Sequence, residues 1–190
     1  MKSFSSRGLR AGALAAGIAG VLGLATVGTA PADEAEKRGV GDATIKMKDT
    51  GGPPIFTGDD VVAPGNTLTI VNRTSQSGPH FFSITKSGAI PTSNKELKDC
   101  AKFELKVCRR IAKAHEVNPN TFKVGKRKVD SGATGWDASF GSQADGDSWY
   151  TDRKGKTNSR PVTAAAGETL SYFCLIHPGT MRGEIDVAGQ

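Results

Sequence analysis

Histidine, cysteine and methionine each occur only three times in these 190 residues. That scarcity excludes proteins that gather several metal ions, because each further ion would need its own cluster of histidine or cysteine ligands. No cysteine precedes Cys100, so the N-terminal segment lacks the residue that a lipoprotein signal needs for acylation. Aromatic residues are also sparse, at 6% of the chain, and the most basic stretch, residues 86–130, contains only Phe103 and Phe122. Nucleic-acid surfaces interleave positive charge with stacking rings, which argues against a nucleic-acid partner. Acidic residues are missing from the first ten positions, where Lys2, Arg7 and Arg10 stand before an Ala/Gly/Leu/Val run from Ala11 to Ala30 that ends in Ala30-Pro31-Ala32. A basic start, an apolar run and a small-residue cleavage site make residues 1–32 a signal peptide. Cleavage near Ala32 leaves residues 33–190 as a single secreted or periplasmic domain, long enough to bury its own core.

The net charge of +6 is unevenly placed. Residues 1–32 carry +3, and residues 86–130 hold twelve Lys/Arg against five Asp/Glu, whereas 33–85 and 161–190 are each about −2. The basic segment reads first as a solvated helix face. It is also a surface that attracts acidic partner proteins at long range.

An oxidising compartment pairs two of three cysteines and leaves one over. Cys100 and Cys108 are near neighbours and form the expected disulfide, which reserves Cys174. Eight residues along an unbroken helix rise about 12 Å, beyond the roughly 7 Å Cα limit of a disulfide. The pairing therefore predicts a helix break near Lys102 to Lys106. The reserved thiol lies in Tyr172-Phe173-Cys174-Leu175-Ile176-His177-Pro178-Gly179-Thr180-Met181, with an imidazole and a thioether close behind it. His80, in Gly78-Pro79-His80-Phe81-Phe82-Ser83-Ile84, alternates with Phe82 and Ile84 on the inward face of a strand. His115 ends a basic helical stretch and reads as a surface residue. One thiolate, two imidazoles and a distant thioether are what a mononuclear electron-transfer copper site requires, since copper is then held between the geometries of its two oxidation states. A thioether is a poor zinc ligand.

Strands are expected at Thr44 to Lys48, Asp60 to Ala63, Thr67 to Asn72, around His80 to Ile84, at Thr169 to Cys174 and at Gly183 to Val187, each with alternating apolar residues or a turn in front of it. Ser93-Asn94-Lys95-Glu96 has capping-box spacing and opens a helical stretch to about Val117. Residues 118–160 are rich in Gly, Asp, Ser and Lys and read as long loops with one or two short strands, anchored by Trp136, Phe140, Trp149 and Tyr150. The helical and loop stretches together form an insert at about 86–160. Asn72-Arg73-Thr74 matches a glycosylation sequon.

The pieces Pro64-Gly65-Asn66-Thr67-Leu68, Gly78-Pro79-His80 and Tyr172 to Gly183 together resemble the blue copper proteins of the plastocyanin, pseudoazurin and amicyanin type, the cupredoxin family. The resemblance covers about 40–85 and 162–188. It implies an all-β, Greek-key β-sandwich that carries the helical, disulfide-containing insert, and one type 1 copper ion held by His80, Cys174 and His177 with Met181 as a long axial contact. It also implies one-electron transfer between redox partner proteins, with no small-molecule substrate and no catalysis, by a monomer. Family members expose the second histidine through an apolar patch, and Pro178 with Gly179 resembles that surface. The three-residue gap from His177 to Met181 lies between the gaps of the amicyanin and plastocyanin loops, which leaves Thr180 or a backbone carbonyl as axial alternatives. A copper storage or delivery module is the other function considered. Such sites favour several Met or Cys ligands, and beyond Met1 and Met181 the chain has only Met47.

Overall fold

Alternation of apolar and polar residues is clearest in the first strand. In β1 (Ala43–Lys48), Ala43, Ile45 and Met47 are buried while Lys46 and Lys48 are exposed, which is the period-2 pattern of a strand with one face on a core. The computed structural model describes residues 40–75, 78–125, 128–132, 135–138, 140–141, 144–145 and 147–189. The signal-peptide segment expected at 1–32 lies outside them.

The remaining strands are β2 (Ile55–Gly58), β3 (Val61–Val62), β4 (Thr67–Asn72), β5 (His80–Thr85), β6 (Asp130–Ser131), β7 (Phe140–Gly141), β8 (Ala144–Asp145), β9 (Ser148–Thr151), β10 (Thr157–Pro161), β11 (Thr169–Phe173) and β12 (Arg182–Val187). They form a four-stranded sheet in the order β10-β4-β1-β2, a six-stranded sheet in the order β3-β12-β11-β5-β9-β6, and the small pair β7-β8. β1 runs parallel to β4 and β3 parallel to β12, while the other pairs are antiparallel. Ile45, Met47, Leu68 and Ile70 from one sheet and Phe82, Ile84, Leu170 and Ile185 from the other are all fully buried in one core cluster. Phe56 closes the core by meeting Phe82 and Tyr172 edge-on at 5.7 and 5.2 Å. Tyr172 in turn lies against Gly183, its partner across the ladder, where a Cβ would come within 2.5 Å of the phenol oxygen.

The helical stretch expected from Ser93 is divided into two helices, with the break at 102–105 where the disulfide pairing required one. α1 (Asn94–Ala101) opens on the anticipated capping box, with Ser93 Oγ accepting from the Glu96 N–H and the Glu96 carboxylate accepting from the Ser93 N–H. α2 (Lys106–Ala114) follows after a break in which Phe103 turns into the left-handed region at φ 59°. The break brings Cys100 and Cys108 to a Cα separation of 5.2 Å, and they form the disulfide.

Residues 118–160, expected to be long loops with one or two short strands, contain more strand than that, from β6 to β10. β9 pairs with β5 inside the six-stranded sheet and β10 pairs with β4 along the other sheet. All four residues of β9 are buried, so its sequence shows no alternation. β10 alternates only among polar residues and a proline on a sheet edge. Trp136 anchors this region as foreseen: it is fully buried, its Nε1 donates to the Leu68 carbonyl at 2.9 Å, and Arg160 lies 4.4 Å above its ring. The sequon asparagine Asn72 is fully buried, its Oδ1 accepting from the Thr74 N–H and hydroxyl, so the folded chain withholds it from modification. No helix among the described residues is long and apolar enough to cross a membrane.

Candidate metal centre

His80 opens β5, and Cys174 follows directly on the end of β11, its hydrogen-bonded neighbour. The two side chains therefore converge from adjacent strands of one sheet rather than from mobile loops. The turn after Cys174 is closed by the His177 N–H donating to the Cys174 carbonyl at 3.2 Å, which returns the His177 ring to the same point. One ligand atom from each of His80, Cys174 and His177 lies within 4.8 Å of the other two. Cys174 Sγ is 3.7 Å from His177 Nδ1, and the two imidazole centroids are 5.3 Å apart. Among the described residues no second group of three His, Cys, Asp or Glu donors is gathered in this way.

The electrostatics suit a soft cation. Burial, reinforced by the neighbouring His177, pushes His80 down to about 4 against a smaller opposing pull from Asp49. Burial also lowers His177. Both rings are thus held neutral at pH 7, the form that ligates metal. Burial raises the Cys174 thiol, while backbone N–H groups of Phe81, Ile176 and His177 oppose that shift. The Phe81 N–H lies 3.3 Å from the sulfur. His80 Nδ1 is buried and has no hydrogen-bond partner among the described residues, a costly arrangement unless a metal ion accepts its lone pair. A buried thiol that loses its proton on metal binding, two neutral imidazoles and an orphaned ring nitrogen fit a single copper ion.

Met181 is fully buried. Extending the β11–β12 register by one pair sets it opposite Cys174, and the Cys174 N–H donates to the Met181 carbonyl at 2.8 Å. Directly opposed residues of an antiparallel ladder share a face. The His177 carbonyl accepts from both Thr180 and Met181 N–H groups, at 3.2 and 2.9 Å, so the three intervening residues form one tight turn. Thr180 is exposed.

Two expectations around the site are corrected. His115 is fully buried, not on the surface: it caps the end of α2 and meets Phe81 edge-on at 5.2 Å, with Nδ1 hydrogen-bonded to the Lys128 carbonyl. The spacing of Cys108, Ile111, Ala112 and His115 on one helix face would have shown this. Pro178 is likewise buried, and the Cβ position of Gly179 is 3.7 Å from Leu97 of α1. Of the two residues expected to form an open apolar surface, Gly179 is exposed and Pro178 is not. His80 and His177 border a cleft of about 480 Å³ shared with Ile176, Pro54, Pro79 and Asp49. The Phe81 N–H to the sulfur was not legible in advance, because a backbone donor has no signature in side-chain identity.

No protein-family model matches the chain, and no curated protein matches it. Among solved structures it is similar to auracyanin A, a blue copper protein from the green thermophilic photosynthetic bacterium Chloroflexus aurantiacus, at 19% identity over 77% of this chain and 99% of that one, with a TM-score of 0.41. It is similar to dithionite-reduced auracyanin from the photosynthetic bacterium Roseiflexus castenholzii at 18% identity, over 76% and 96% of the chains, with a TM-score of 0.40. Reduced rusticyanin matches at 17% identity over 77% of each chain, with a TM-score of 0.34. Likeness at that level adds no weight to the site. The sandwich and its converging thiol and imidazoles, taken on their own geometry, fit the blue copper resemblance drawn from the sequence.

Proposed function

We propose that the protein is an extracytoplasmic one-copper electron carrier whose ion would be held by His80, Cys174 and His177, with Met181 as a fourth contact. The observation that carries this reading is the buried thiol held within 4.8 Å of two imidazoles by adjacent strands of a packed sheet. Bound copper would supply a one-electron redox couple. The protein's own residues hold the donors in place, keep both rings neutral and exclude water from the sulfur, so little has to move when charge changes. Met181 is preferred over Thr180 because it is buried and faces Cys174 across the ladder, whereas Thr180 is exposed. The chain is read as a monomer, exported after cleavage near Ala32, whose partners are redox proteins with acidic surfaces rather than small-molecule substrates or nucleic acid.

Cu(II) titration of the protein lacking residues 1–32, followed by visible absorption and electron paramagnetic resonance, tests the reading. An intense thiolate-to-copper band that disappears in Cys174→Ser is expected. A colourless protein that binds no copper would refute it.

A further inference from the structure

Tyr150 lies directly across the ladder from Phe81, and their rings meet at 5.2 Å. The backbone N–H of the same Phe81 reaches Cys174 Sγ. A contiguous track therefore runs from the Tyr150 ring to the sulfur through one ring contact and one hydrogen bond. At its outer end Tyr150 and Trp149 line a cleft of about 540 Å³ that shares no residue with the cleft beside His80 and His177.

Lys123, Arg153 and Lys156 surround this second cleft against a single acid, Asp152, which lies 3.8 Å from Arg153 Nε. Lys123 and Lys156 are exposed and form no ion pair among the described residues. Val129, at 41% the one exposed large hydrophobic among the described residues, lines the same cleft. A cleft lined by cationic side chains and an exposed apolar one is complementary to an acidic protein surface that also offers apolar contact. A small anion would leave Val129 uncovered.

We propose that this cleft docks an acidic one-electron carrier protein and that the Tyr150–Phe81 pair links the docked partner to the Cys174 sulfur. The proposal rests on the reading of Cys174 as a copper ligand. One electron is exchanged and no bond forms or breaks: the partner's haem or iron–sulfur iron is oxidised as this protein is reduced.

Cytochrome c with its lysines succinylated serves as the acidic probe and native, basic cytochrome c as the control. Titrated into copper-free protein, the acidic probe should shift amide resonances of residues 123–125 and 149–157. Lys123→Glu combined with Lys156→Glu should weaken its binding about tenfold at low salt, the lower end of what charge steering contributes. Shifts centred on Ile176 and His177, or equal binding of the basic control at the cleft, would overturn the docking surface. In copper-loaded protein, Tyr150→Leu should lower the limiting rate of haem oxidation at saturating probe while Tyr150→Phe keeps it. An unchanged limiting rate in Tyr150→Leu would overturn the aromatic link. If copper fails to bind, the functional reading falls, and the copper-free titration still decides the docking surface.

Discussion

Acid should find its way into the fold through His115. The ring is fully buried at the end of α2 between Phe81 and the Lys128 carbonyl, and its Nε2 has no partner among the described residues. Burial pushes it down to about 4, with Arg160 helping, against the opposing effects of the Lys128 carbonyl and Asp130. The folded state thus binds this proton less readily than the unfolded chain, whose histidine titrates near 6.5. Its contribution to stability is complete above pH 6.5 and is lost as pH falls through about 4. At about 1.36 kcal/mol per pH unit, the loss between pH 7.5 and pH 4 is about 3 kcal/mol, a large share of a typical domain's stability. His80 acts with the same sign in metal-free protein, so the comparison has to be made against His115→Leu. Urea unfolding of both proteins without copper, at pH 7.5 and pH 4, should show the parent losing about 3 kcal/mol more than the variant. An equal loss in the two proteins would refute the assignment of acid sensitivity to this ring.

Replacing Met181 with Leu should leave copper bound and raise the reduction potential by at least about 59 mV, the shift that corresponds to a tenfold change in relative affinity for the two oxidation states; voltammetry that shows no shift would point to Thr180 or a carbonyl as the axial group. Removing the disulfide with Cys100→Ser and Cys108→Ser should lower stability by about 2.5 kcal/mol, from the chain-entropy relation for a loop of about eight residues, as read by urea denaturation. Alkylation of denatured, unreduced protein should label one thiol only, and labelling at Cys100 or Cys108 would contradict the pairing.

Part of the sandwich was legible because strands such as β1 and β12 show one buried and one more solvated face. Ile45 and Met47 against Lys46 and Lys48 are the clearest instance. The convergence of Cys174, His177 and His80 was legible because the first two are local in sequence and His80 was the one remaining histidine on a strand-like pattern. What was hidden has a common cause: the pattern depends on what covers the second face. β9 loses its alternation because all of Ser148–Thr151 is covered. β10 lies on a sheet edge and carries almost no apolar residues, and β2, on the opposite edge, follows a Gly/Pro turn in only four residues. His115 was misread for the converse reason, since the basic residues beside it suggested solvent while its own helix face, with Cys108, Ile111 and Ala112, turns inward.

The position of the disulfide carries a consequence for maturation. Cys100 Sγ lies 3.9 Å from the carbonyl of Leu175, the residue after Cys174, so in the finished protein all three sulfurs crowd one region and a wrong pairing would consume the thiol that the site needs. Chain statistics oppose that error while the chain is still unfolded. Closing the loop from Cys100 to Cys108 rather than one of the 66 or 74 residues to Cys174 is favoured by roughly 2 kcal/mol of closure entropy. In an oxidising compartment the local bridge would therefore form first and leave Cys174 without a cysteine in its own chain to pair with, which makes the order of pairing a property of cysteine spacing rather than of the folded state.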